Sequence, residues 1–345
     1  MKKHLILDWS PILYGNLFGA TSEVKKNNLV SVVDGKYNLD EYKDIVIFKI
    51  FEEISKLKNQ FNLSQDDEII IATDTPGDNG YWRKKVWEGY KAKRKSTRDD
   101  SDIQWDKAFK LFQEINETLD KCSSMKVISV PETEGDDIIF VLSKYFSDKN
   151  EETIIHSSDH DFWQTLMYPN VKFWRTTRTQ GMENSEWCTL NECETKDEIQ
   201  KHVIQGDPGD GFGHIKHYSR FSNDFLEVYP KMKGKEKEAY PKRFKIEKYF
   251  EDKHNKKAYN HPRFGYKSFK KSGKSVEDLL NENEIYRWNY EMNKKLALPE
   301  FIPVELRKKI IETYKTSNNK QNYGCLYQYL MKYNLFEVTS SIINL

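Results

Sequence analysis

Short apolar runs alternate with segments of helical period along the first half of the chain. The runs are three or four residues long, and they are Leu5–Leu7, Ile69–Ala72, Val127–Val130, Thr153–Ile155 and Val171–Trp174. Between them, apolar residues recur at helical spacing, at Ile45, Phe48, Phe51, Ile54 and Leu57, then Trp105, Phe109, Phe112, Ile115 and Leu119, then Ile138, Val141, Leu142 and Tyr145. This alternation is typical of a parallel sheet with crossover helices whose apolar stripes form the core. We therefore predict an α/β domain, with a mostly parallel central sheet flanked by helices, over residues 1–190.

Beyond Trp174 the strand pattern fades and helical runs dominate. Apolar positions within 199–204 lead into a turn rich in glycine and aspartate, Gly206–Gly211. Residues 230–275 are basic and have poor periodicity, and helical spacing returns from Leu279 onward. We predict a second, mainly helical domain over residues 191–345, with a basic insertion over 230–275.

Acidic residues follow four of the five apolar runs. In chain order they are Asp8, Asp74, then Glu134, Asp136 and Asp137, then Asp159 and Asp161. Because the carboxyl ends of parallel strands share one edge of a sheet, where such folds bind ligands, we expect these acids to converge on one crevice. Asp207 and Asp210, in the later Gly-rich turn, could reach the same crevice from the second domain.

A crevice crowded with carboxylates implies a bound cation. Each acid alone has a structural explanation as a helix N-cap, a turn former or a partner of a helix dipole. Together they would repel one another and raise their own pKa values unless a cation lay among them. Oxygen ligands without an evident His or Cys set favour Mg²⁺ or Mn²⁺ over zinc. Two such ions about 4 Å apart suit in-line phosphodiester hydrolysis.

The charge distribution fits a polyanionic partner. The chain as a whole carries a net charge of +1, yet residues 81–98 carry +7 and residues 230–275 carry +11, which leaves −17 for the rest. An acidic body with two basic segments suits nucleic acid handled by a carboxylate-rich centre.

The basic segment at 80–100 interleaves cations with aromatic residues directly after Asp74. Phosphate neutralisation by Lys and Arg, together with base stacking on aromatic rings, is the usual way to grip single strands. We expect nucleic-acid contacts from Tyr81, Arg83, Lys84, Tyr90 and Lys93. The structural alternative is a solvated basic helix. For residues 230–275, duplex binding and an insertion without a specific role are equally open.

Cysteine use and hydropathy favour an intracellular protein. The four cysteines are few and dispersed, and the C-x4-C pair Cys188 and Cys193 has no second half at zinc-finger spacing. We therefore expect reduced thiols. No apolar stretch approaches the roughly 18 residues of a membrane helix, so no membrane association is expected.

Taken together, the acidic residues and the basic segment described above resemble those of the 5′-nucleases of the flap endonuclease group, most closely their T-even phage members. The acidic strand ends of that family match Leu7-Asp8-Trp9-Ser10 and Ala72-Thr73-Asp74. The family's helix start matches Glu134-Gly135-Asp136-Asp137, and its S-[ST]-D-x-D motif matches Ser157-Ser158-Asp159-His160-Asp161. Its G-D-x-x-D turn matches Gly206-Asp207-Pro208-Gly209-Asp210. Its Y-K-x-x-R arch motif matches Tyr90-Lys91-Ala92-Lys93-Arg94. The resemblance covers most of the chain, and the acidic set in this order is specific although each motif alone is weak.

The resemblance implies a PIN-like 5′-nuclease domain, and a helical domain whose helix–turn–helix element grips duplex backbone near Gly206–Ile215. By resemblance, the first metal ion would be held by Asp8, Asp74, Glu134 and Asp136. The second would be surrounded, in part through water, by Asp137, Asp159, Asp161, Asp207 and Asp210. Lys91 and Arg94 would contact the scissile phosphate from an arch over the cleft, and Tyr90 would help to position the reacting nucleotide.

Two departures from the family pattern limit the resemblance. The stretch Gly211–Ile215 lacks the usual Asn and the later Gly-Ile-Gly hairpin, so the potassium site of some members is not expected. The phage relatives carry residues ahead of the first strand that this chain lacks, which weakens the inference of a sliding-clamp contact. The basic insertion is longer here, so its role is not carried over.

We predict a Mg²⁺-dependent 5′→3′ exonuclease and flap endonuclease that removes RNA primers and DNA from 5′ ends during replication. Two ions are expected, with Mn²⁺ as a substitute. Branched or nicked DNA and RNA–DNA hybrid are the expected substrates, and single-stranded-DNA-binding protein of the replisome is a candidate partner. A cytoplasmic monomer is expected, in the host cytoplasm if the protein is phage-encoded.

Two alternatives stay open. A PIN-type ribonuclease would need fewer acids and would lack the long arch and the helical domain. A catalytically silent DNA-binding replication accessory protein would show an eroded acid set. A phosphatase of the aspartyl-phosphate type would need an acid where Ser10 stands, and phosphate-binding Gly-rich loops are absent from the sequence.

Overall fold

A computed structural model describes residues 2–92, 98, 101–179, 182–216, 264–282, 284–317 and 322–335. The strands are β1 (Lys3–Asp8), β2 (Val32–Val33), β3 (Lys36–Tyr37), β4 (Glu68–Ala72), β5 (Lys126–Ile128), β6 (Glu152–Ser157), β7 (Val171–Thr179) and β8 (Met182–Cys188). The helices are α1 (Trp9–Asn27), α2 (Lys43–Gln60), α3 (Trp82–Val86), α4 (Trp105–Cys122), α5 (Gly135–Ser147), α6 (Glu192–Gln205), α7 (Tyr266–Lys271), α8 (Val276–Asn281), α9 (Glu284–Ala297), α10 (Val304–Thr316) and α11 (Tyr323–Lys332). Within these described ranges, 3₁₀ segments are formed by Leu39–Glu41, His160–Met167 and Pro299–Phe301.

The chain divides into two compact units that are not contiguous in sequence. The first contains Met1–Tyr81, Lys95–Thr195 and Pro303–Leu345, and the second contains Trp82–Arg94 and Lys196–Ile302. This division differs from the predicted boundary at residue 190 in two respects, since a short segment of the predicted first domain joins the second unit and the last two helices join the first. Packing explains both. Leu326 and Leu330 of α11 lie in the core of the first unit, and Trp87 and Tyr90 lie in a core cluster of the second.

The main sheet of the first unit has the strand order β5-β4-β1-β6-β7-β8. Every neighbouring pair is parallel except β7 and β8, which form an antiparallel hairpin at one edge. The prediction of a mostly parallel sheet is therefore confirmed, and each of the five apolar runs contributes a strand. The sequence did not reveal β8, because its residues are mostly polar and its described side chains are largely exposed.

Helices cover the sheet with the apolar stripes that the sequence predicted, with one shift of phase. On α4 the buried residues are Ala108, Leu111, Phe112, Ile115, Leu119 and Cys122. Phe109, predicted to lie in the core stripe, is instead 38% exposed. Ala108 occupies the position that faces the core. The neighbouring Phe109 therefore lies on the outward side of the helix.

The pairing of Cys122 with Cys325 as a disulfide contradicts the expectation that all thiols are reduced. Their Cα atoms lie 5.4 Å apart although 203 positions separate them in sequence, and the bond joins α4 to α11. Such a distant pair has no spacing pattern by which the sequence could reveal it. Cys188 and Cys193 are free thiols.

Among the described residues, no helix is both long and apolar enough to cross a bilayer.

The second unit is helical, in agreement with the prediction for the C-terminal region. Its core contains Ile204, Ile215, Tyr266, Phe269, Leu279 and Leu280. The side chains of Asn289 and Asn293 on α9 donate to the carbonyl oxygens of Ile215 and Val203, each at 2.8 Å, and so fix the turn that follows α6. The rest of the predicted helix–turn–helix element, and residues 230–263 of the basic insertion, lie outside the described residues.

An ionic cluster lies at the start of the central strands, at the edge of the sheet opposite the acidic strand ends. Glu68 accepts hydrogen bonds from His4 Nδ1 at 3.0 Å and from the Tyr314 hydroxyl at 2.6 Å. Its other carboxylate oxygen lies 2.9 Å from Lys2 Nζ and 3.2 Å from Lys126 Nζ. We call these five residues the basal cluster. Because Tyr314 belongs to α10, the cluster ties a C-terminal helix to the sheet.

Glu68→Gln is expected to lower the free energy of unfolding by about 3 kcal/mol at neutral pH, since it leaves the buried Lys126 without its compensating charge. Burial alone raises the pKa of Glu68, but hydrogen bonds from His4, Lys2 and Tyr314 and the charge of Lys126 outweigh burial and hold that pKa well below its usual 4.5. A carboxyl group with a lowered pKa stabilises the fold above its ordinary pKa and loses that contribution as the pH falls. In urea unfolding, the difference between wild type and variant should therefore be largest near neutrality and shrink below pH 4.5. A difference that stays constant down to acid pH would contradict this.

Candidate functional site

A serine hydroxyl joins the ends of the adjacent strands β1 and β6. Asp8 is the last residue of β1 and is 5% exposed. Ser157, the last residue of the neighbouring β6, donates its hydroxyl to Asp8 Oδ2 at 2.5 Å. The backbone amide of Asp159 donates to the same hydroxyl oxygen at 2.9 Å. The acid of β1 and the acidic segment that follows β6 are thus held together through Ser157.

A second set of contacts joins the end of β4 to the start of α5. Asp74 Oδ2 accepts from the Ser10 hydroxyl and Asp74 Oδ1 from the backbone amide of Gly135, each at 2.7 Å. A Cβ on Gly135 would lie 3.0 Å from the carbonyl oxygen of Ala72, so the helix begins in close contact with the strand end. Ser10 follows Asp8 by two residues, and Gly135 lies between Glu134 and Asp136. Asp74 therefore connects the acids of three elements.

The start of α5 carries three acids in different environments. Glu134 and Asp137 are buried and Asp136 is partly exposed. Asp137 Oδ2 accepts from the backbone amide of Glu134 at 3.0 Å, which caps the helix. Asp137 therefore has a structural role, and its metal-binding role stays a prediction.

The acids after β6 begin a 3₁₀ segment. Asp159 Oδ1 accepts from the backbone amide of Asp161 at 2.9 Å. His160 lies between these two acids, with Nδ1 3.7 Å from Asp159 and Nε2 3.4 Å from Asp161. The sequence analysis did not single out His160, although its position inside the S-S-D-H-D motif was a usable signal. Its half-exposed ring lies next to two predicted metal ligands.

The first unit thus places seven of the nine predicted ligands along one edge of its sheet. Asp8 is the last residue of β1, and the other six follow the carboxyl ends of β4, β5 and β6: they are Asp74, Glu134, Asp136, Asp137, Asp159 and Asp161. A cavity of about 490 Å³ opens beside Asp8, and its lining includes Ser157 and Tyr14 but none of the other six acids. A donor set made of carboxylate oxygens fits a hard divalent cation, since such a cation offsets the mutual repulsion of the acids.

The other two predicted ligands lie in the second unit, on a tight turn. Gly206 and Gly211 have φ values of +68° and +86°, which side chains other than glycine rarely adopt. Asp207 Oδ1 accepts from the amides of Gly209 at 2.7 Å and Asp210 at 3.3 Å, so it shapes the turn. Asp210 Oδ2 accepts from the Tyr90 hydroxyl at 3.1 Å and lies 3.5 Å from Lys91 Nζ.

The predicted nucleic-acid contacts divide into buried and exposed residues. Arg83 is 4% exposed, and its Nε donates to the carbonyl oxygen of Leu296 at 2.8 Å. Tyr90 is 2% exposed. Their described environments therefore give both residues a role inside the second unit rather than on a surface that could meet nucleic acid. Lys84 is exposed and Tyr81 partly exposed, as a contact requires. Lys93 and Arg94 lie outside the described residues.

Comparison with known proteins gives a family match and several relatives. The model of the 5′-3′ exonuclease N-terminal resolvase-like domain matches residues 5–198. Ribonuclease H of Enterobacteria phage T4 is 26% identical over 307 residues, which cover 89% of this chain and 87% of that protein.

Two solved phage T5 structures are also similar. The T5 D15 flap endonuclease, in a pseudo-enzyme–product complex with DNA and metal ions, is 12% identical with a TM-score of 0.47, covering 91% of this chain and 100% of that one. The T5 5′-exonuclease with bound zinc is 12% identical with a TM-score of 0.44, covering 98% and 100%.

The family match extends over more than half of the chain and includes all seven acids at the sheet edge. The protein therefore belongs to the 5′-3′ exonuclease family.

Proposed function

We propose that this nuclease is a metal-dependent 5′→3′ exonuclease and flap endonuclease, hydrolysing phosphodiester bonds of RNA primers and DNA at 5′ ends. The observation that carries the proposal is the edge of the sheet where Asp8 and Asp74 are tied to the other acids by Ser157, Ser10 and Gly135. The phage T4 relative is named a ribonuclease H, which supports RNA primers as a substrate.

Two divalent cations, Mg²⁺ with Mn²⁺ as a substitute, would supply an activated water and charge neutralisation at the scissile phosphate. One ion would be held by Asp8, Asp74, Glu134 and Asp136. The other would be surrounded by Asp137, Asp159 and Asp161. In the second unit, Asp207 and Asp210 are the proposed ligands. The hydroxyls of Ser10 and Ser157 orient two of these carboxylates through hydrogen bonds, as groups behind metal ligands commonly do. Lys91 and Arg94 would place positive charge on the phosphate.

The expected partners follow from this activity. Branched or nicked DNA and RNA–DNA hybrid would be the substrates, exposed cations such as Lys84 would meet phosphates, and single-stranded-DNA-binding protein would be a replisome partner. The protein would act as a monomer in the cytoplasm.

Product analysis on 5′-labelled flap, nicked and RNA-primed duplexes tests the proposal. We expect short products released from the 5′ end in Mg²⁺, and none in chelator. Cleavage confined to structured RNA without a free 5′ end would favour a PIN-type ribonuclease. Binding of all three duplexes without cleavage in Mg²⁺ or Mn²⁺ would favour a silent accessory protein.

Mg²⁺ is expected to raise the melting temperature of the protein in the absence of nucleic acid. A ligand present at 100 times its Kd stabilises the folded state by about 2.7 kcal/mol, which corresponds to a shift of a few degrees in a protein of this size. The measurement is thermal unfolding in Mg²⁺ against chelator, with Na⁺ added to equal ionic strength. Identical melting temperatures would count against a cation among these acids.

A further inference from the structure

The base of the basic segment is locked to the Gly-rich acidic turn inside the second unit. A Cβ on Gly211 would lie 2.4 Å from the carbonyl oxygen of Gly89. The backbone amide of Lys91 donates to the carbonyl oxygen of Asp210 at 2.9 Å, and Trp87 Nε1 donates to that of Gly211 at 3.3 Å. The two segments therefore meet backbone to backbone, with no room for a side chain at Gly211.

The backbone of Lys91 is strained. Its φ is +53°, in the left-handed region that residues other than glycine rarely occupy. Strain of this kind persists only where the surroundings over-determine it, often at functional sites. The hydrogen bond from its backbone amide to the carbonyl oxygen of Asp210 is part of what holds this conformation. The conformation of Lys91 thus depends on the acidic turn.

Tyr90 and Lys91 share one oxygen of Asp210. The Tyr90 hydroxyl donates to Asp210 Oδ2 at 3.1 Å, and Lys91 Nζ lies 3.5 Å from the same oxygen. Lys91 Nζ also lies 5.1 Å from the centre of the Tyr90 ring. That ring is buried against Trp87, Phe212 and Leu296. A fixed neutral donor and a cation therefore meet at the same carboxylate.

We propose that Tyr90 is a positioning residue that holds the Asp210 carboxylate for a divalent cation, and that Lys91 competes with this cation for Asp210. The proposal deepens and rests on the proposed function, in which Asp210 is a metal ligand. Because Tyr90 donates a neutral hydrogen bond, it orients the carboxylate without cancelling its charge. Lys91 does cancel that charge. An Asp210 that binds a divalent cation attracts Lys91 less, which leaves Nζ available for a phosphate. Binding of the ion and the position of Lys91 are thereby coupled.

The two residues are expected to shift metal affinity in opposite directions. Electron paramagnetic resonance titration of the protein with Mn²⁺, without nucleic acid, measures its affinity for Mn²⁺. Tyr90→Phe should weaken that affinity about tenfold, the scale of one hydrogen bond to a charged group. Lys91→Met should strengthen it several-fold, because the competing cation is gone. Raising the Mn²⁺ concentration should narrow the difference in kcat between Tyr90→Phe and wild type on a flap substrate, since the lost hydrogen bond acts on ion binding.

Tyr266→Phe is the matched control. The Tyr266 hydroxyl donates to Asp197 Oδ1 at 2.9 Å in the same unit, and its ring is also buried, so the change removes an equivalent bond away from the acidic turn. Its Mn²⁺ affinity should equal that of wild type. Wild-type affinity in Tyr90→Phe would overturn the proposal, as would weakened binding in Lys91→Met, which would indicate a general disturbance of the turn. A wild type that binds Mn²⁺ but cleaves no nucleic acid would contradict the proposed function, while the titration would still decide the role of Tyr90.

Discussion

Replacing Asp74 by asparagine is expected to lower kcat on a 5′ flap by at least ~10³-fold at saturating Mg²⁺, because it removes several kcal/mol of electrostatic stabilisation from the transition state. Asparagine has the same shape as aspartate. Its oxygen can still accept from the amide of Gly135, and its nitrogen can face the Ser10 hydroxyl, so the local fold should survive. The measurement is single-turnover cleavage in Mg²⁺, combined with duplex binding in Ca²⁺, which should stay near the wild-type level.

Asp66→Asn provides a matched control at the other end of β4. Asp66 is exposed and precedes β4 by two residues, whereas Asp74 follows β4 by two residues, so the two acids flank opposite ends of one strand. The Asp66→Asn variant should cleave at the wild-type rate. Comparable activity in the two variants would remove Asp74 from the metal centre.

Lys91→Ala is expected to lower kcat by ~10²-fold, the scale of losing one preorganised charge at the reacting phosphate. The KM for the flap should change little, because the charge would act on the scissile phosphate in the transition state rather than on general binding. Steady-state kinetics at two salt concentrations would separate these effects, since a phosphate contact used for binding alone would change the salt dependence.

Lys144→Ala is a suitable comparison for this second variant. Lys144 also pairs with an aspartate, Asp148, but it is exposed on α5 and has no part in the proposed reaction. Its loss should leave kcat unchanged. An unchanged kcat in Lys91→Ala would remove Lys91 from the active centre.

The positions of the acids could be predicted because sheet geometry is simple. An apolar run that ends in an acid places that acid at the carboxyl edge of a parallel sheet, and Asp8, Asp74 and Asp159 follow this rule. The serines that connect them were less evident. Ser10 and Ser157 lie within motifs that the sequence analysis quoted, but their hydrogen bonds depend on strand order, which the sequence does not state.

The burial of the basic segment could not be predicted in the same way. Interleaved cations and aromatics suggested a surface for nucleic acid, yet Arg83 and Tyr90 are buried. Their partners, Leu296 and Asp210, lie more than a hundred residues away in sequence, and no local period reveals such contacts. The hairpin strand β8 was missed for a related reason, because an exposed edge strand needs no apolar alternation.

The way the first unit is assembled from three separated segments affects how the protein can fold during synthesis. A ribosome releases the chain from the N-terminus, and domains generally fold as complete units. The core of the first unit includes Leu326 and Leu330, and its basal cluster includes Tyr314, all of which emerge from the ribosome well after the strands. A nascent chain holding only the strands would expose the apolar surface that α11 later covers. The fold of the first unit is therefore expected to be complete only after α10 and α11 have left the ribosome.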